Sequence, residues 1–116
     1  MSDSLHELSQ QLGRFASERD WQQFHSPKNL ASALIVEAAE LLEPFQWLTE
    51  AESRDLPPDK LDAVRGEMAD VLLYLVQLAN ALEVDLVAAA QAKLKANASR
   101  YPIEKARGSS RKYDEI

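Results

Sequence analysis

The sequence predicts an all-α protein, a bundle of four helices, and three observations carry that expectation. Apolar residues recur at three- and four-residue spacing over long stretches. No segment alternates apolar and polar residues as a half-buried strand would. Prolines and capping residues fall where helices would begin and end. A chain of 116 residues is long enough for one hydrophobic core and short of two. A single domain over residues 1–116 is therefore expected, its last part, from about residue 103, a polar tail.

The first helix is expected from Ser4 to Glu18, because Leu5, Leu8, Leu12 and Phe15 line one face. RDWQQFHSPKNL then reads as a loop rich in rings, with Trp21, Phe24 and His25 just ahead of Ser26-Pro27, an N-cap followed by proline at the first helical position. A second helix is expected from Pro27 to Leu48. Leu30, Leu34 and Leu41 form one stripe on it and Ile35 and Leu42 another, so it is apolar on more than one side. Pro44 lacks a backbone donor and should kink or end it, re-aiming Phe45 and Trp47. TEAESRDLPPD is expected as a surface connection with a cap at Asp59. A third helix, Lys60 to Leu82, places Met68, Val71, Leu75, Leu78, Ala79 and Leu82 on a core face, with Glu67, Asp70, Tyr74 and Gln77 on an adjacent stripe. Asp85 caps a fourth helix, on which Lys93, Asn97 and Arg100 share a face, and Pro102 stops it. The remainder, IEKARGSSRKYDEI, lacks periodicity and is expected to order only against a partner or ligand. Helices apolar on two sides cannot bury both within four helices, so an oligomer is expected.

Composition narrows the function. A net charge of -6 argues against a nucleic-acid polymer as partner, since such proteins show a basic face to the phosphates; a mononucleotide bringing its own metal remains open. The absence of cysteine removes disulfide, thiolate and zinc-thiolate chemistry. No segment approaches the roughly 18 uninterrupted apolar residues of a membrane span, and MSDSLHELSQQ has neither the basic n-region nor the apolar h-region expected of a signal sequence. A soluble, cytoplasmic protein that does not bind membranes is expected.

The chemical signal is Glu37-Ala38-Ala39-Glu40 and its echo Glu67-Met68-Ala69-Asp70. Each pair spaces two carboxylates three apart, so both project from one helix face within an otherwise apolar run. Crowded carboxylates repel and lose hydration, and persist only where a proton, a base or a metal compensates them. One such pair is commonplace on solvated helices; two pairs that a bundle can aim inward form a di-acid metal site. Oxygen-only ligands select magnesium, with manganese as a substitute, and the absence of Glu-x-x-His argues against di-iron. Trp21, Trp47 and Tyr74 flank the acid helices, where a flat base could stack or where they could simply pack. His25 is a candidate ligand contact or a cap. Lys93, Asn97 and Arg100, and with them Arg107 and Lys112, are either a solvated face or contacts to triphosphate oxygens.

RDWQQFHSPKNL, EAAELLEPFQW, EMADVLLYLVQLA, KLKANASRYP and RGSSRKY, in this order, resemble the dCTP pyrophosphatases of the MazG-like all-α nucleoside triphosphate pyrophosphohydrolase superfamily. The double acid motif marks the superfamily; FQW, YLV and the KxxxNxxRYP segment mark the branch. The resemblance implies hydrolysis of a deoxynucleoside triphosphate between its α and β phosphates, with magnesium held by Glu37, Glu40, Glu67 and Asp70. It also implies a base and sugar pocket shaped by Trp21, Trp47 and Tyr74, and phosphate- or sugar-side contacts from Lys93, Asn97 and Arg100. It implies a homotetramer, a dimer of dimers with pockets shared between subunits. Glu40, set between small residues away from the Leu30 stripe, is the expected general base. The expected purpose is removal of excess dCTP or a 5-modified dCTP from the nucleotide pool. The same reaction on dUTP or another non-standard nucleotide is the alternative within enzymes, and a helical adaptor is the non-enzymatic one.

Overall fold

In a computed structural model the regular structure of the chain is helical, with no strand among the described residues, 4–116. These residues divide into two compact units, one ending at Val84 and the other spanning Asp85–Ile116.

The first unit holds α1 (Ser4–Glu18), α2 (Pro27–Leu42), a short α3 (Glu50–Ser53) and α4 (Pro58–Leu82). Helix α1 has the expected bounds. It stops where Asp20 turns left-handed at φ 53°, and the Trp21 and Asp20 N–H groups donate to the Ala16 and Ser17 carbonyls at 2.9 and 3.1 Å, satisfying acceptors the helix would otherwise orphan. The aromatic segment that follows is not a plain loop, since Gln22–Phe24 forms one 3-10 turn ending at His25. The Ser26 hydroxyl then accepts from the Asn29 N–H at 3.2 Å, with Pro27 at the first helical position, and starts α2. Helix α2 ends at Leu42, short of the expected Leu48. Pro44 supplies the reason: with no N–H to continue the ladder, the chain closes into turns, and the Phe45 and Gln46 N–H groups both reach the Leu42 carbonyl.

The connection to α4 also carries more order than its composition suggested. Thr49 and Glu52 form a reciprocal capping box, Thr49 Oγ1 accepting from the Glu52 N–H at 3.1 Å and Glu52 Oε1 from the Thr49 N–H at 2.9 Å, which is enough to fix the single turn α3. Helix α4 begins at Pro58 rather than Lys60, and Asp59 lies in its first turn instead of capping it. A proline at the first helical position gives up no hydrogen bond, so the helix starts as early as its φ allows.

The core of the unit is small: Ala16, Leu30, Val64, Val76 and Ala79 are buried. Both α1 and α2 pack on α4, and Ser9 Oγ donates to Asn80 Oδ1 at 2.6 Å, tying the start of α1 to the end of α4. Of the residues expected as the core face of α4, Ala79 is buried and Val71 and Leu78 are half-buried, but Met68, Leu75 and Leu82 are exposed. Helices α1 and α2 meet α4 on the side bearing Glu67, Asp70 and Gln77. That leaves Leu61, Met68, Leu72, Leu75 and Leu82 as one uncovered apolar stripe. On α2, Ile35, Val36 and Leu42 are likewise exposed.

In the second unit Asp85 Oδ1 accepts from the Ala88 N–H at 3.1 Å and caps α5 (Leu86–Arg100), as expected. Beyond Pro102 the segment read as a tail that orders only against a partner contains α6 (Ile103–Ala106) and a 3-10 turn at Tyr113–Glu115. Its anchor is a ring. Tyr113 meets Tyr101 edge-on at 6.2 Å, and the Arg100 guanidinium lies 4.9 Å over the Tyr113 ring. Such an anchor leaves no periodicity in the sequence. No single helix among the described residues is long and apolar enough to cross a membrane.

Candidate active site

The first unit brings three of the four motif acids to one point. Glu37 from α2 and Glu67 and Asp70 from α4 each offer a carboxylate oxygen, and these oxygens lie within 4.8 Å of one another. The i, i+3 spacing on α4 places Glu67 and Asp70 on one face, and the packing of α2 on α4 supplies Glu37 from the opposite wall. Glu37 and Glu67 are half-buried and Asp70 is exposed. Glu37 Oε2 and Glu67 Oε2 are buried with no hydrogen-bond partner. A carboxylate oxygen removed from water and left unpaired is costly, and the cost falls away when a cation accepts its lone pairs. The donor set is all oxygen, the chemistry hard divalent cations prefer.

Glu40 lies beside this set, against Glu37. Among the described residues the mutually close acids are Glu37, Glu67 and Asp70, while Glu40 sits half-buried one turn along α2, near enough to act on Glu37. The Glu37 carboxyl is raised from 4.5 to about 7, by burial first, then by its hydrogen-bonding neighbour Glu40 and the charge of that group, then by Glu67 and the charge of Asp70. Two like charges in a half-buried setting do not both ionise readily.

A cavity of 360 Å³ opens beside the acids, with Asp70 in its wall together with Trp21, His25 and Tyr74. Trp21 is held edge-on between Phe15, at 5.6 Å between ring centroids, and His25, at 6.3 Å. Of the three rings expected to flank the acid helices, Trp21 and Tyr74 line this cavity, and His25 lines it with them. Trp47 does not join them: it lies in the turns after α2 and is 87% exposed. Lys93, Asn97, Arg100, Arg107 and Lys112 belong to the second unit. There Lys93 and Arg100 are exposed on α5 and Asn97 is half-buried, while Arg107 follows α6 and Lys112 precedes the final 3-10 turn, both exposed.

The sequence reading did not assign Leu8 and Gln11 of α1, or Gln77 of α4, to the cavity, yet all three line it, as does Leu12. For Gln77 the signal was present, since it continues the Glu67, Asp70, Tyr74 stripe. For Leu8 and Gln11 it was absent, because the apolar face of α1 looked like that of any core-facing helix.

The model of the MazG-like family matches residues 33–116. The chain belongs to the MazG-like family. It is similar to dCTP pyrophosphatase 1 of Homo sapiens, 45% identical over 115 residues, which is 97% of this chain and 68% of that protein. It is also similar to dCTP pyrophosphatase 1 of Mus musculus, 43% identical over the same shares. A crystal structure of a pyrophosphatase from Archaeoglobus fulgidus superposes with a TM-score of 0.82 at 36% identity, covering 88% of this chain and 95% of that one.

Proposed function

We propose that this nucleoside triphosphate pyrophosphatase hydrolyses dCTP, or a 5-modified dCTP, to the monophosphate and pyrophosphate, and that it needs magnesium to do so. The observation that carries the reading is the convergence of Glu37, Glu67 and Asp70, two of them with buried, unpartnered oxygens, at the edge of a cavity walled by Trp21, His25 and Tyr74. The similarity to dCTP pyrophosphatases supports the substrate.

Glu37, Glu67 and Asp70 would hold the cation, with Glu40 completing the shell or remaining free as a base. A divalent ion bound there would neutralise charge on the triphosphate oxygens. The protein supplies the rest. Trp21 and Tyr74 offer ring faces and edges to the base and sugar, and His25, beside Trp21 on the cavity wall, offers a hydrogen bond. Glu40, adjacent to the acid cluster and not needed to close it, takes the proton of the attacking water as its oxygen bonds to phosphorus and the pyrophosphate oxygen leaves. Lys93, Asn97, Arg100, Arg107 and Lys112 are the proposed cationic and amide contacts to phosphate. A cytoplasmic homotetramer is proposed from the resemblance to the family, and the uncovered stripes on α2 and α4, more apolar surface than a lone chain would leave in water, support self-association.

The test is incubation with magnesium and each common deoxynucleoside triphosphate in turn, resolving nucleotide products and assaying pyrophosphate against orthophosphate. Formation of dCMP and pyrophosphate, faster than the products of the other bases, is expected. Release of orthophosphate and a diphosphate would overturn the reaction.

A further inference from the structure

We propose that Gln77 reads the hydrogen-bonding edge of the pyrimidine; the inference rests on the nucleotide reading of the site given above and deepens it. Three observations lead there. Gln77 follows Asp70 by seven residues on the same stripe of α4, with Tyr74 between them, a rise of about 10 Å along the helix axis. That is comparable to the reach of a nucleoside from its α-phosphate to the far edge of its base. Asp70, Tyr74 and Gln77 all line the 360 Å³ cavity, so a nucleotide with its phosphates at the acids extends its base toward Gln77.

The second observation is where the cavity goes next. A further cavity of 240 Å³ shares Leu12, His25 and Gln77 with the first. Gln77 therefore stands where the two meet. The third is chemical. The Gln77 side chain is half-buried, and its carboxamide has no hydrogen-bond partner among the described residues. A half-buried amide carries a donor and an acceptor that ask for partners.

Cytosine presents an acceptor at N3 beside the N4 amino donor. The Gln77 amide matches it, its NH₂ donating to N3 and its oxygen accepting from the amino group. Uracil presents the reverse, an N3–H donor beside the O4 acceptor, and the same amide matches it after a half-turn about its last torsion. No hydrogen bond among the described residues fixes that torsion. Gln77 thus strengthens binding of either pyrimidine by a similar factor, and any preference for cytosine over uracil arises at other positions.

The experiment compares the intact protein with Gln77→Leu, which keeps the volume and removes the hydrogen bonds, and with Gln77→Met as a second apolar replacement. Three substrates are used with magnesium: dCTP, dUTP and the deoxynucleoside triphosphate of pyrimidin-2-one, which lacks the exocyclic group at position 4. Both variants should lose kcat/KM on dCTP and dUTP by about ten- to a hundredfold, the worth of a lost pair of hydrogen bonds. The loss should fall mainly in KM, because the contact is remote from the reacting phosphorus. On the pyrimidin-2-one substrate the loss should be several-fold smaller, since only one bond remains to be removed. An equal loss on all three substrates would mean that Gln77 only shapes the cavity, and would overturn the inference, as would full activity of the variants on dCTP. A loss on dCTP more than tenfold different from that on dUTP would overturn the rotating amide. Absence of turnover by the unaltered protein on dCTP and dUTP would instead overturn the proposed substrate class, and the inference with it.

Discussion

Glu37 keeps its proton to about pH 7 because burial and the neighbouring Glu40, Glu67 and Asp70 all disfavour its charge, and two expectations follow from the sign of that shift. Below about 7 a cation must displace the proton to use the Glu37 oxygens, so apparent divalent affinity should rise with pH up to about 7 and then level off. Titrations of magnesium or manganese followed by calorimetry at pH values either side of 7 check this; constant affinity across that range would contradict it. In chelator, the folded state binds a proton more tightly than the unfolded chain, whose glutamate titrates near 4.5. Stability should therefore be full below about 4.5 and decline as pH rises to about 7, as far as this group alone is concerned. At the same scale, Glu67→Ala removes one of the two buried, unpartnered oxygens. It should cost about a hundredfold or more in turnover and abolish the rise in melting temperature that magnesium produces by mass action. A variant that stays inert while keeping the full magnesium shift would place Glu67 outside the metal site.

Helix ends are where local chemistry and sequence agree most closely in this chain. Ser26 and Asp85 were legible as caps because a short polar side chain can satisfy an orphan N–H without help from distant residues, and both do so. Ser26→Ala should destabilise the first unit by about 1 kcal/mol in denaturant titrations. The C-terminus of α4 offers the opposite case. Glu83 adopts a left-handed conformation at φ 55°, with the Val84 N–H closing onto the Ala79 carbonyl at 2.9 Å. A side chain there pays a steric cost that glycine escapes, so Glu83→Gly should raise stability by about 1 kcal/mol. An unchanged or lower denaturation midpoint would show that the Glu83 side chain compensates. Capping could not reveal how far α2 would run once Pro44 interrupted it, nor that Thr49 and Glu52 would hold a turn inside a charged connection.

At the scale of the molecule, the exposed stripe of Leu61, Met68, Leu72, Leu75 and Leu82 on α4, with Ile35 and Leu42 on α2, is the surface most in need of a partner. Periodicity aligned Met68, Leu75 and Leu82 on α4 and Ile35 and Leu42 on α2, and the sequence reading put those three of α4 on its core face. The structure turns it outward, because α1 and α2 occupy the acid-bearing side of the helix. Light scattering at micromolar concentration should give a mass near four times the 13.0 kDa of one chain. Met68→Glu with Leu75→Glu should shift it toward smaller species, since two charges cannot be buried unpaired at an apolar contact. A monomer before substitution would refute the proposed tetramer.

Sequence alone determined the helical class, the bounds of α1, the caps of α2 and α5, and the identity of the acids, because each follows from neighbours within a turn or two: side-chain periodicity, a polar atom near an orphan N–H, two carboxylates three residues apart. The tertiary structure decided the remainder. It brought oxygens of Glu37, Glu67 and Asp70 within 4.8 Å of one another and set Glu40 against Glu37. It recruited α1 and Gln77 to the cavity wall, and turned the apolar side of α4 away from α1 and α2. These outcomes depend on how one helix is rotated against another. That rotation is set by the packing of α1 and α2 on α4, contacts between residues far apart along the chain that leave no local pattern to read.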